Sequence, residues 1–244
     1  MEEKDWQGFS NILKDVLNLE SSSVSVNCIK EKVPDNDRRK VRICRAILDA
    51  GKGQTIQIDK INNACFGAGW HLGFHQIKDS KILNMVKKFV VEGEKLFCSY
   101  QALDNLISQM GEVPDNSNSY FVLSPLEKVE YKPELVIFVC NPEQACRLLT
   151  SITFIDGIMP KIEIGGPTCR MAIMYPLLTG EVNISFYDYT ARKTCNVEKD
   201  KLIVTIPYKK IHKIIESIDR CSAGRAKIEF SSEFREFLQK RFHS

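Results

Sequence analysis

The sequence predicts an α/β chain, with α+β as the neighbouring option, built as a mixed sheet flanked by helices. Short β-branched runs such as VSVNCI, QTIQID and KLIVTIP alternate with segments whose apolar residues recur at helical spacing. ELVIFVC at 134–140 is a nearly continuous apolar run, the mark of a strand buried on both faces. Glycine and proline punctuate the joints between these segments.

The elements follow in order. Trp6, Phe9, Leu13, Val16 and Leu17 share one face of a helix over 5–19, which SSS at 21–23 ends. A strand at 24–29 leads into a charged loop at 30–40 and a helix at 41–50, stopped by Gly51 and Gly53. QTIQID is a strand feeding the glycine-rich turn and helix of INNACFGAGWHLGF. A helical pattern from Asp79 to Met110 breaks near Gly93, and GEVPDNSNS at 111–119 is the clearest loop. After the strand at 134–140, Asn141 is a cap and Pro142 the first residue of a helix to about Thr153. The loop IDGIMP, a short strand KIEI, Gly165-Gly166-Pro167 and a helix at 168–178 come next. Strands VNISFYD and KLIVTIP and helices at 208–219 and 232–242 complete the order. We divide the chain into a leading helix at 1–23, a first half at 24–110, a linker or crossover at 111–133 and a second half at 134–244, forming one globular unit.

Composition narrows the classes. Of 244 residues 43% are hydrophobic and 27% charged, an ordinary globular balance. A formal charge of +3 and the lack of a Lys/Arg stripe interleaved with aromatics argue against a nucleic-acid footprint. No apolar stretch approaches the roughly 20 residues that span a bilayer. The acidic, amphipathic start is unlike a secretory signal, so we expect a cytoplasmic protein. Nine cysteines are many for such a chain, and in a reducing compartment they are core residues or metal ligands.

A repeat is suggested by two segments, Cys44 to Cys65 and Cys146 to Cys169, each reading Cys-Arg, short helix, loop, strand, turn, Cys. Each is preceded by a strand with its own cysteine, Cys28 or Cys140, as a duplicated strand-helix-strand-helix unit requires.

Local motifs exclude more than they assign. The glycines at 67, 69 and 73 are spaced one residue too long for a dinucleotide fingerprint, and no P-loop is present. His71 and His75 lie four apart, as zinc ligands on a helix would, but without a following Glu, and with Gly73 between them. With Cys65 they would make a Cys-His-His set. His212 and His243 sit in ordinary amphipathic helices and complete no catalytic set. No C-x-x-C occurs, so a metal site would need distant ligands. Cys65 and Cys169 are in glycine-bearing turns at helix starts, and Cys44 follows RRKVRI; all three settings favour a thiolate. Cys28, Cys98, Cys140, Cys146, Cys195 and Cys221 read as core or surface thiols.

The stretches ICRAILDAGKG, NNACFGAGWHLGF, VIFVCNPEQACRLL, GGPTCRMAIMYPLLTGEVNISF and KLIVTIPYKKI, in this order, resemble the archaeal conserved-region family known as domain of unknown function 169. The resemblance runs over about residues 20–220. It implies no established activity. It does imply a four-cysteine pattern, of which Cys44, Cys65 and Cys169 match three; Asp188 stands at the fourth, and Arg192 keeps the family's arginine. In a family found largely in archaea and anaerobes, that pattern suggests an iron-sulfur site, here a 4Fe-4S-type cluster with a non-cysteine fourth ligand in redox, sensing or small-molecule chemistry.

Two further readings stand beside it. One is an enzyme using the open iron or a thiolate on a small substrate, with Asn62, Asn63, Tyr187, Asp188, Tyr189 and Arg192 lining the pocket and binding the cofactor or substrate. The other is a zinc-stabilised or metal-free binding module. A small molecule or a redox partner protein is the expected partner, a homodimer is compatible with the sequence, and neither nucleic acid nor membrane is expected.

Overall fold

The computed structural model describes residues 5–31, 39–75 and 80–242. Most of the charged loop at 30–40, the expected helix start at Asp79, and His243 lie outside the described residues.

The leading helix α1 (Trp6–Leu17) forms because Trp6, Phe9, Leu13 and Leu17 make one apolar face, all four buried. Each contributes roughly 1.5–3 kcal/mol by leaving water. Asp5 caps its start on Gly8 N at 2.7 Å, and Asn18, left-handed at φ 50°, closes its end. The next elements are β1 (Val24–Ile29), α2 (Ile43–Gly51), β2 (Ile56–Ile58), α3 (Phe66–His71), α4 (Ser80–Lys88), a π-helical turn at Phe89–Gly93 and α5 (Tyr100–Gln109). Then come β3 (Tyr120–Pro125), a 3-10 turn at Leu126–Lys128, β4 (Leu135–Cys140), α6 (Pro142–Thr153), a π-helical turn at Arg170–Met174, α7 (Tyr175–Thr179), β5 (Asn183–Ser185), α8 (Tyr189–Cys195), β6 (Leu202–Pro207), α9 (Tyr208–Ser217) and α10 (Ser232–Phe242).

The six strands make one sheet in the order β2-β3-β1-β4-β6-β5, flanked by helices as the sequence predicts. Its five strand pairings are all antiparallel, the arrangement of the α+β option. Alternation along the strands separates two cores. Val26, Leu123, Leu135, Ile137 and Ile203 face α2, α3, the π-turn before α7, and α8. Val136, Phe138, Cys140, Val204 and Ile206 face α1, α6 and α9. Asn141 and Gln144 form the expected cap of α6 as a reciprocal capping box, and Gln144 Nε2 also donates to the carbonyls of Leu17 and Asn18, joining α6 to α1.

The structure revises three sequence readings. Tyr120–Pro125, within the expected linker, is a strand lying between β2 and β1. KIEI at 161–164 is not a strand: Ile164 is 61% exposed, Gly165 and Gly166 follow at positive φ, and the segment is held by Glu163 N donating to Asn183 Oδ1. The helix expected at 168–178 is a π-turn followed by a five-residue helix, because Pro176 supplies no N–H to a regular α ladder.

The strand order also changes the repeat. It reads alike from both edges, with strands of six, three and six residues in each half and β1 against β4 at the seam. The segment matching Cys44-Arg45, α2, β2, α3 is Cys169-Arg170, α7, β5, α8. Cys146, matched to Cys44 on sequence, belongs to α6 on the other face and is exposed. In the structural match Cys65 corresponds to Asp188, each the N-cap of the helix that follows the short strand. α2 packs on α8 and the π-turn packs on α3, the two contacts such a match would exchange.

Candidate functional site at the junction of α2 and α8

The first wall of the site is the chain entering α2. Asp59 Oδ1 accepts from the N–H groups of Ile61 and Asn62, folding the turn after β2. Asn62 is 4% exposed; its Oδ1 accepts from Asp59 N and its Nδ2 donates to the Gln57 carbonyl at 2.7 Å. Backbone bonds Val41 N to Asn62 O and Ala64 N to Val41 O then fix residues 39–42 beside the turn. Asn63 spans Cys65, donating to its carbonyl and accepting its N–H. These two asparagines position backbone.

The second wall is α8. Asp188 Oδ1 accepts from Ala191 N at 2.8 Å as the helix cap, while Oδ2 accepts from Thr168 N and Thr168 Oγ1 at 3.1 and 2.7 Å. Arg192 donates to the carbonyls of Tyr187, Glu198, Lys199 and Lys201, which fixes the far end of α8. Tyr187 is 1% exposed, and its hydroxyl has no hydrogen-bond partner among the described residues. Tyr189 is exposed, under the ammonium of Lys193.

Between the walls lies an open cleft of about 360 Å³, lined by Arg39, Lys40, Val41, Arg42, Arg45, Asp49, Ala64, Thr194 and Cys195. Four cations meet one carboxylate there. Asp49, 3% exposed, takes Arg39 at 2.5 Å and Arg45 at 2.8 Å. Lys40 and Arg42 have no carboxylate partner among the described residues, and Arg42 donates to Thr194 Oγ1 at 3.5 Å. The cleft therefore carries a surplus of positive charge, which favours an anion.

Cys195 ends α8, and the Cys44 thiol, in the first turn of α2, is its neighbour. Cys44, hydrogen-bonding to the Cys195 sulfur, lowers that thiol most; Thr194, Arg42 and Arg45 add to this against burial, and Cys195 falls to about 6. Its own interaction with Cys195, then burial, holds the Cys44 thiol above the ordinary range. The pair gives up one proton near neutral pH and keeps the other.

This arrangement overturns the iron-sulfur reading and its zinc alternative. Among the described residues no group of three or more His, Cys, Asp or Glu side chains is placed to hold a metal ion. Cys44, Cys65, Cys169 and Asp188 share one end of the sheet and influence one another electrostatically without converging on a point. Cys44 is turned to Cys195, Asp188 has both oxygens engaged in capping and clamping, and burial first, then Cys65 and Asp188, push the Cys169 thiol up. His71 is 5% exposed beside Trp70, and burial followed by Arg170 lowers it to about 4; His75, shifted down by burial, lies at the far end of the same turn. Cys195, read from sequence as an incidental thiol, is the one at the cleft. No neighbour in sequence marked it: the cations that lower it, Arg42 and Arg45, come from the start of α2, and the proximity of Cys44 has no signature in the sequence.

The fold and site define a six-stranded antiparallel sheet protein with a thiol pair under a cationic cleft. The DUF169 family, described as Uncharacterised ArCR, matches residues 12–217, and the chain belongs to it. No curated protein and no solved structure matches the chain. Among the described residues no helix is long and apolar enough to cross a membrane.

Proposed function

We propose that the protein acts on a small anionic molecule through a cysteine thiolate, Cys195, supported by Cys44, with no metal centre. The observation that carries this reading is the meeting of Cys195 and four cations on one cleft. The arginines and Lys40 attract and orient the anion; Cys44 first, then Arg42 and Arg45, lower the Cys195 thiol, so that the nucleophile is ready at neutral pH. Asn62, Asp188 and Arg192 are positioning residues that hold the two walls.

Alkylation tests it. A free cysteine shows no preference for a negatively charged reagent, whereas Cys195 should favour iodoacetate over iodoacetamide by about tenfold more than a free thiol does at low salt. The preference should collapse in 1 M salt and in Arg42→Ala, and the rate should rise with a midpoint near pH 6. A Cys195 that stays unmodified at pH 7 removes the reading.

A second reading, a metal-free binding module, is favoured by Lys40 and Arg42, which have no carboxylate partner among the described residues. It predicts that inorganic phosphate or a dicarboxylate raises the melting temperature equally in wild type and Cys195→Ser.

A further inference from the structure

We propose that the exposed face of α10 pairs with the same face of a second copy of this chain, the two helices running antiparallel about a two-fold axis beside Phe237. This surface is separate from the cleft and independent of the thiolate reading, and α10 lies outside residues 12–217 that match the family.

The first observation is an apolar face with little of its own chain over it. Phe234, Phe237 and Leu238 recur at helical spacing along Ser232–Phe242. The Phe230 ring lies 5.3 Å from Phe234 and the Phe234 ring stacks on Phe237 at 6.0 Å, so the three make one continuous surface, edged by Arg241 over the Phe237 ring. Yet Phe234 and Phe237 are 44% and 50% exposed, Phe230 and Ile228 are exposed beside them, and among the described residues no other helix or strand packs along α10. The start of the helix is fixed, since Ser231 Oγ accepts from Phe234 N at 3.2 Å. At 11 residues it is still shorter than the roughly 12–15 that hold a helix even marginally in water, so the phenylalanine face needs a partner.

The second observation, charge, says what that partner is. Glu233 and Lys240 lie two turns apart on one flank of the apolar face, and neither makes an ion pair within the chain among the described residues. Laid antiparallel on a second α10, Glu233 of each copy comes opposite Lys240 of the other, Phe234 opposite Leu238, and Phe237 against its own counterpart. One axis near Glu236 and Phe237 satisfies all three pairings to within a residue. A parallel pairing would set like charges against each other on that flank. The antiparallel one also brings the acidic first turn of each helix to the basic last turn of the other, and it uses the same surface on both copies, as a closed two-fold dimer requires. An anionic membrane, the other surface an amphipathic helix fits, calls for a basic polar face, and here Glu233 and Glu236 stand on it. So few apolar residues make a small interface, and the dimer is therefore reversible.

The experiment is sedimentation velocity on the full chain from low to high micromolar concentration, kept reduced because Cys98 and Cys146 are exposed. We expect a monomer–dimer equilibrium that is about tenfold weaker in Glu233→Lys and in Lys240→Glu, since each change turns two symmetry-related attractions into repulsions. Mixing those two variants should restore association between unlike chains, and the double variant should dimerise as wild type does. Phe237→Glu, which places a charge at the axis, should abolish the dimer. Denaturation midpoints at monomeric dilution confirm that each variant is folded. A chain that is monomeric at every concentration overturns the inference, and binding of that monomer to anionic phospholipid vesicles would give α10 to a lipid surface. A dimer indifferent to Phe237→Glu overturns it too, as would one that Phe237→Glu abolishes but that mixing the two charge variants does not restore.

Discussion

Where α2 begins, Cys44 neighbours Cys195 at the end of α8, and Cys195 lines a cleft of arginines. Where the matching segment begins in the other half, Cys169 lies against α3, whose last residue, His71, is buried and whose next, Leu72, is wholly enclosed. The backbone layout is shared: Cys-Arg, helical segment, three-residue strand, capped helix. All three thiols are buried in one apolar cluster, but Cys44 lies beside Cys195 near surface cations, whereas Cys169 lies beside Arg170, which donates inward to the Met110 carbonyl. Similar element order thus supplies similar positions, and the residues at the helix ends set what surrounds each thiol.

The sharpest way to break this contrast is to compare the two thiols directly. At pH 7 and low salt, Cys195, 4% exposed but lining the cleft and with a lowered thiol pKa, should alkylate about a thousandfold faster than Cys169, 6% exposed and with a raised thiol pKa. Quantitative peptide mapping of a time course reads the ratio. Comparable rates would mean that the halves do not differ in the way described.

The next largest effect belongs to the sealed half. His71 is lowered to about 4, so the unfolded chain takes up the proton first as the solution is acidified. The stability this histidine allows is complete above roughly pH 6.5 and is lost as pH falls through about 4, a change of about 3 kcal/mol. Urea unfolding at several pH values should show that slope in wild type, and a much flatter one in His71→Gln. An unchanged slope in the variant would detach the acid sensitivity from this residue.

Smaller again is the contrast between the two caps. Asp188 makes three hydrogen bonds, whereas Cys65 makes no side-chain cap bond. Asp188→Ala should cost about 2 kcal/mol and Cys65→Ala about 0.5 kcal/mol or less, measured by denaturant midpoints at constant slope. Equal costs would show that the caps are interchangeable.

Much of the frame was legible in the chain. The apolar face of α1, the doubly buried run at β4 and the Asn141-Pro142 start of α6 each have a local cause, and each appears where the pattern places it. β3 was hidden because its six residues follow directly on a polar loop and end in Pro125, so the run read as part of a connection. KIEI has strand alternation but no neighbouring strand to complete its hydrogen bonds. For the site, Cys44, Cys65, Cys169 and Asp188 were singled out as metal ligands from the family pattern, and among the described residues that ligand set does not assemble. Whether thiols meet depends on rotations of α2 and α8 about their axes, a long-range outcome of packing that spacing along the chain does not encode. Asp188 shows the same limit: its family position suggested a ligand, and its local chemistry made it a cap.

Both margins of the sheet are strands of three residues, β2 on one side and β5 on the other. A margin that short presents few free backbone groups in a row, too few to template the growth of a neighbouring chain's strand. The longer, stickier strands are enclosed in the middle of the order. Edge-to-edge pairing between copies is thereby disfavoured by the topology itself.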